Sequence, residues 1–109
     1  DIVIRGGENI ACAEVEAAIY AHPDVAECCV FGLPHARFGE VPVAVYVVAE
    51  GKQLGEDALR EYLKARIAGF KVPEKLWLSD APLPRLGTEK VDRRAVKARY
   101  AASWEGAAA

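Results

Sequence analysis

The stretch Pro42-Val43-Ala44-Val45-Tyr46-Val47-Val48 admits few structures. Val43, Val45 and Val47 alternate with Ala44, Tyr46 and Val48, so a strand here is apolar on both faces. Such a strand needs protein above and below it, which makes it the central strand of a covered sheet. With 109 residues there is room for one domain around that strand. A second β-rich run, Val25 to Gly32, reads as a buried strand too short for a typical helix, and Lys75 to Ser79 as a third strand. Leu33 to Glu40, with Pro34 and Gly39, reads as a polar connection between the first two.

The covering layers come from helical spacing. From Ala13 to about Ala21, Val15, Ala18, Ile19 and His22 share a face, with Glu14 and Glu16 pointing away from it in the first turn, where the helix dipole favours negative charge. His22-Pro23-Asp24 stops this helix, because proline has no N–H to continue the ladder. From about Gly55 to Ala68, Leu59, Tyr62, Leu63 and Ile67 form a second buried stripe, with Gly69 placed as its C-terminal cap. Pro82 and Pro84 force a loop through Arg85-Leu86-Gly87-Thr88, and Asp92 is a good N-cap for a last helix from Arg93 to about Tyr100. The first ten residues read as an extended segment or hairpin broken at Gly6-Gly7, where positive φ is permitted. The tail Gly106-Ala107-Ala108-Ala109 is expected to fray. The fold class is therefore α+β: a small three-stranded central sheet flanked by helices, with an N-terminal glycine-containing extended segment or hairpin.

Bulk chemistry excludes several functions. No apolar run approaches the length of a membrane span, and the opening Asp1-Ile2-Val3-Ile4-Arg5 has no basic leader before a long apolar stretch, so a cytoplasmic address is expected. Cys12, Cys28 and Cys29 read as buried thiols, since His22 and His35 alone make no metal-ligand set with them; no metal site is expected. His22 reads as a helix-end residue. Residues 85–99 hold six basic side chains against two acidic ones in a chain of net charge −2. That patch suits either a phosphate-bearing ligand or a solvated helix face. Nucleic acid is not an expected partner, because the strands lack interleaved aromatics and the overall charge is negative.

Four collinear segments together resemble the C-terminal domain of the adenylate-forming superfamily, in particular AMP-forming acyl-CoA synthetases. They are Asp1-Ile2-Val3-Ile4-Arg5-Gly6-Gly7-Glu8-Asn9-Ile10 with Ala13-Glu14-Val15-Glu16; His22-Pro23-Asp24-Val25-Ala26-Glu27 leading to Phe31-Gly32-Leu33-Pro34; Phe38-Gly39-Glu40 with Gly69-Phe70-Lys71-Val72-Pro73; and Leu83-Pro84-Arg85-Leu86-Gly87-Thr88-Glu89-Lys90-Val91-Asp92-Arg93-Arg94. The resemblance implies a mobile lid domain, with all 109 residues in it, that works against a large N-terminal domain not included in this sequence. In the family the large domain binds ATP, Mg2+ and the carboxylic acid. Acid and ATP form an acyl-adenylate, and coenzyme A then displaces AMP. An isolated lid is expected to be inactive, and no acyl-selecting residue is expected in it.

By that resemblance Lys90 matches the adenylation lysine, a mobile point charge able to hold carboxylate and α-phosphate together. Without the family match it reads as a solvated loop lysine. Gly7 matches the glycine that leaves room for the pantetheine arm, with Gly6 and Glu8 (and Asn9) beside it in the same loop; a tight turn explains the glycines equally. Phe38, Phe70 and Lys71 fall where the coenzyme A nucleotide is contacted, although both aromatics also suit packing. Glu89 stands where the family commonly has glycine, which stiffens the backbone, places a carboxylate next to Lys90 and disfavours regulation by acetylation there. Cys12 stands where proline often opens the first helix. Two alternatives stay open: transfer to a carrier-protein pantetheine, and a stand-alone interaction domain. The Gly-Gly-Glu-Asn loop with Phe70-Lys71-Val72-Pro73 leans towards free coenzyme A.

Overall fold

The structure, a computed structural model, describes residues 1–108. Strands β1 (Ile2–Arg5) and β2 (Glu8–Ala11) form an antiparallel hairpin. Helix α1 (Cys12–Tyr20) follows, then β3 (Val25–His35), β4 (Gly39–Val48), α2 (Glu56–Lys64), β5 (Leu76–Leu78) and α3 (Arg93–Ala101). The main sheet has the order β3-β4-β5, with β3 antiparallel and β5 parallel to β4. This is the α+β architecture expected, and β4 is its centre.

Alternation along β4 divides the core in two. Ala44 and Tyr46 face a cluster with Val3, Ile10, Val15, Ile19, Leu59 and Leu63, which the hairpin, α1 and α2 cover. Val43 and Val45 face the other cluster, with Phe31, Leu33, Leu83 and Val96 from α3. The Tyr46 hydroxyl, buried in the first cluster, donates to the Leu54 carbonyl at 2.7 Å, so no polar atom is stranded there.

Several boundaries differ from the sequence reading for identifiable reasons. Leu33 to Glu40 is not a polar connection: β3 continues to His35, β4 begins at Gly39, and the turn is only residues 36–38. Pro34 is tolerated because β3 is an edge strand, and its carbonyl turns outward to accept from the Trp104 indole N–H at 2.6 Å. Pro42 survives in the central strand because it lies outside the short β5 ladder, which spans only Ala44 to Tyr46; its carbonyl accepts instead from the Glu74 N–H. Helix α2 stops at Lys64, four residues early, in a tight turn where the Arg66 N–H bonds the Leu63 carbonyl. Gly69 therefore does not cap it, and opens a separate 3-10 turn over Gly69–Lys71.

The tail does not fray where it is described. Trp104 packs beside Trp77 on the second cluster, and the Ala36 N–H donates to the Gly106 carbonyl at 3.1 Å. A short 3-10 turn runs Gly106–Ala108; the Ala109 part of that expectation lies outside the described residues. Asp92 is the N-cap of α3, accepting from the Ala95 N–H at 3.1 Å.

Helix α2 is fastened to β5 through Glu56, which accepts from Lys75 Nζ at 2.9 Å, from Arg60 at 2.7 Å and from the Leu76 N–H at 3.4 Å. Burial acts to raise the Glu56 pKa, but these three donors outweigh it and hold the carboxyl below its ordinary value. Because folding lowers this pKa, the stabilisation is complete above the ordinary carboxylate range and is lost as pH falls through the lowered value. Glu56→Gln is expected to cost about 1 kcal/mol at pH 7. In urea melts the difference from wild type should shrink steadily below about pH 4.

Candidate functional site

Two separate constellations lie at opposite ends of the β3–β4 ribbon. At one end is the hairpin turn. Gly6 (φ +54°) and Gly7 (φ +88°) both occupy the left-handed region, as a two-residue turn of type I′ requires. The Gly6 N–H donates to the Phe38 carbonyl at 2.9 Å, and a Cβ on Gly6 would meet the Phe38 ring at 3.3 Å. Gly6 is thus fixed by packing as well as by conformation. Gly7 differs, since a Cβ there would meet nothing within 4 Å. Its outer side is open, and Glu8 and Asn9 beside it are exposed.

Phe38 is only half-buried, but its ring is engaged. The Arg5 guanidinium sits 3.8 Å from the centroid, Arg37 lies 5.1 Å away, and the His35 ring is tilted against it at 5.1 Å. An adenine stacking on the face that Arg5 covers would have to displace that guanidinium. Phe70 packs against the first core cluster, in keeping with a packing residue. Lys71 reaches the first turn of α1, with Nζ 2.9 and 3.0 Å from the two oxygens of Glu14. Any phosphate bound by Lys71 competes with that carboxylate. Arg5 extends towards Glu74 at 3.8 Å, so the hairpin, Phe38 and the segment after Lys71 are joined through one guanidinium.

At the other end is Lys90. Arg85 to Lys90 are all exposed, and the loop is closed by the Leu86 N–H to the Lys90 carbonyl (2.9 Å) and the Asp92 N–H to the Pro84 carbonyl (2.8 Å). Among the described residues Lys90 makes no ion pair, with Glu89 or any other carboxylate. Glu89 has no positive φ, so this loop closes without a glycine there. The loop leans towards Glu27 near the start of β3, whereas Gly6 touches Phe38 just past its end. From Glu27 to His35 the strand covers about 26 Å at roughly 3.3 Å per residue.

A hollow of about 280 Å3 opens beside Lys90, walled by Glu16, Tyr20 and Arg93 and floored by Cys28 and Cys29. Here the sequence reading missed a residue. Glu16 does not point to solvent: it accepts from the Val30 N–H at 2.9 Å and from Arg93 at 2.8 Å, while Arg93 also bonds Asp1 and the Val30 carbonyl. Arg93 thereby ties the start of α3, three residues beyond Lys90, to α1, β3 and the chain's first residue. Two members of the basic patch, Arg85 and Arg93, are spent on internal ion pairs. A larger groove, about 500 Å3 between Trp77 and Trp104, is lined by none of the candidate site residues.

His22 ends its helix as expected, its N–H bonded to Ile19 and its Nδ1 accepting from the Asp24 N–H at 3.0 Å. No group of three His, Cys, Asp or Glu side chains among the described residues is arranged to hold a metal ion. No helix of the described residues is long and apolar enough to cross a membrane.

The fold thus carries a glycine hairpin at one end of a small sheet and an exposed lysine loop at the other. The sequence matches the model of the AMP-binding enzyme C-terminal domain over residues 14–90. It is 43% identical to a feruloyl-CoA synthase from Amycolatopsis over 100 residues, 92% of this chain and 20% of that protein. It is 41% identical to a 2-succinylbenzoate–CoA ligase from Geobacillus kaustophilus over 97 residues, 89% of this chain and 20% of that one. Apo MatB from Rhodopseudomonas palustris superposes with a TM-score of 0.88 at 37% identity, covering 96% of this chain and 21% of that structure. The chain therefore belongs to the AMP-binding enzyme C-terminal domain family. It spans about a fifth of the length of the curated relatives it matches.

Burial raises the pKa of Cys12 and Cys28 and pushes that of Cys29 up to about 12. Since the thiolate is the nucleophile, all three thiols are expected to resist iodoacetamide at pH 8 in the native chain and to react once it is unfolded in urea. Mass spectrometry counts the adducts; rapid native labelling would show that the hollow beside Lys90 admits reagents to its floor.

Proposed function

We infer that this chain is the lid of an AMP-forming acyl-CoA synthetase, which joins a carboxylic acid to AMP and then passes the acyl group to coenzyme A. The observation that carries the reading is the placement of Lys90 and the glycine hairpin at opposite ends of one rigid ribbon. Chemistry that needs both in turn requires the domain to reorient against a large N-terminal partner between steps, with that partner supplying most of the contacts to ATP and Mg2+.

In the adenylation pose Lys90 brings an unpaired ammonium on a flexible stem to the carboxylate and the α-phosphate. It holds the two anions in reach and offsets charge gathering on the phosphoryl oxygens in the transition state. In the other pose the hairpin is presented. A side chain on Gly7 meets nothing inside this domain, so the need for an open position there lies with what passes outside it, which fits the pantetheine arm. Lys71 offers a charge for the nucleotide phosphates, in competition with Glu14, and Phe38 an aromatic surface once Arg5 or its neighbours yield. Gly6 and Glu8 serve as the hairpin's frame, and Phe70 supports the turn that presents Lys71.

Two relatives named for different acids match this chain at 43% and 41% identity, which supports acid selection by residues elsewhere. Free, buried thiols suit a reducing compartment and favour a cytoplasmic ligase.

The deciding experiment measures the two half-reactions separately in the whole ligase. Lys90→Ala is expected to lower carboxylate-dependent ATP–pyrophosphate exchange by about 100- to 1,000-fold while sparing thioester formation from preformed acyl-adenylate. Gly7→Leu is expected to do the reverse. Intact acyl transfer in Gly7→Leu removes the hairpin from the coenzyme A path, and undiminished exchange in Lys90→Ala removes the lysine from adenylation. No exchange in the wild type with a broad acid panel favours an interaction domain instead.

A further inference from the structure

The loop that carries Lys90 is short of its own interactions, yet one pair of side chains anchors it to the sheet. Glu27 lies near the start of β3, where the register slips between Val25 and Glu27. A bulge of this kind re-aims the side chains around it. The Glu27 side chain is mostly buried at 15% exposure, and its Oε1 accepts from the Leu83 N–H at 3.3 Å and from Arg85 Nη2 at 2.9 Å. The other arm of the Arg85 guanidinium donates to the carbonyl of Glu89, the residue before Lys90. An unbroken path therefore runs from β3 through Glu27 and Arg85 to the peptide bond that joins Glu89 to Lys90.

We propose that Glu27 and Arg85 are positioning residues for Lys90, a clamp that fixes the base of the lysine stem while its ammonium stays free. This rests on the adenylation role assigned to Lys90. Each half of the arrangement is needed. Two main-chain bonds, which together make the Arg85–Val91 bridge, close the loop on itself, and Val91 and Arg93 hold the chain beyond it; the guanidinium adds the side-chain link from the Glu89 carbonyl to the sheet. Lysine contributes a single ammonium, so its catalytic value depends on where the backbone delivers it. A misplacement near 1 Å can cost about 100-fold in such positioned chemistry. Arginine suits the clamp because its planar fork reaches a carboxylate with one arm and a carbonyl with the other. It also explains how the loop keeps its form with Glu89 in place of glycine: the contact made there is to the main chain, which any residue supplies.

The test uses the whole ligase with Arg85→Met, Arg85→Lys and Glu27→Gln, each alone and the first also combined with Lys90→Ala. Expected is a drop of about tenfold in kcat for ATP–pyrophosphate exchange, with KM for ATP changed less than about twofold and thioester formation from preformed acyl-adenylate unaltered. Arg85→Met should cost nothing further once Lys90 is gone, because the two act as a unit. Arg85→Lys keeps the charge without the fork and should fail like Arg85→Met. Full exchange activity in Arg85→Lys, an additive loss in the double variant, or equal losses in both half-reactions would each overturn the clamp.

Amide hydrogen exchange gives a readout that needs no activity. In Arg85→Met the Leu86 and Asp92 amides should exchange at least about tenfold faster while the Val45 amide in β4 is unchanged. Unaltered protection at Leu86 and Asp92 overturns the clamp even if activity falls. A wild-type ligase with no exchange on any acid sinks the catalytic role of Lys90 and of the clamp with it. Lost amide protection in that case would show that the clamp itself is real.

Discussion

Burial of β4 on both faces is the constraint from which the rest of this domain follows. A strand apolar above and below must be covered twice, and the chain has few elements with which to do it. The hairpin, α1 and α2 take one face; α3, Leu83 and the Trp77–Trp104 pair take the other. Once both faces are closed, little of the sheet stays open beyond the hollow over Cys28 and Cys29 and the groove beside Trp77. Exposed polar groups lie on the outer helix faces and in the turns, and Gly7 and Lys90 are both in turns.

That geometry gives the domain its mechanical character. Each end is tied inward by charged side chains whose partners are far away in sequence. Arg5 stacks on Phe38 and reaches towards Glu74; Arg93 gathers Asp1, Glu16 and Val30; Arg85 joins Glu27 to the Lys90 loop. Individually such half-exposed pairs contribute little to stability. Their effect is to fix where loops sit relative to the sheet, the Gly6-Gly7 turn at one end and the Lys90 loop at the other. The ion pairs also leave Lys90 as a cation without a carboxylate partner among the described residues, while Lys71 has one. The Lys90 ammonium therefore faces no internal carboxylate among the described residues, whereas an anion arriving at Lys71 would have to displace Glu14.

The sequence by itself determined the elements and their layering. Period-two alternation from Val43 to Val48 placed the central strand, since only a doubly covered strand accommodates it, and period-3.6 stripes placed Leu59 and Leu63 inside. Gly6-Gly7 marked a turn that needs positive φ, and Asp92 marked a helix start because its carboxylate can satisfy an orphan N–H. The motifs around Gly7, Phe70-Lys71 and Lys90 named the family. Tertiary structure alone decided where β3 ends, because Pro34 is harmless only on an edge strand and its edge position depends on which strands pair. It decided that α2 stops at Lys64, that the tail is held by Trp104 and Gly106, and that Glu16 faces inward, since each depends on a partner distant along the chain. The separation of the lysine loop from the glycine hairpin, and the Glu27–Arg85 contact spanning 58 positions, belong to the same class. Local sequence fixes dihedral preference and amphipathic period; the meeting of distant side chains is fixed only when the sheet has closed.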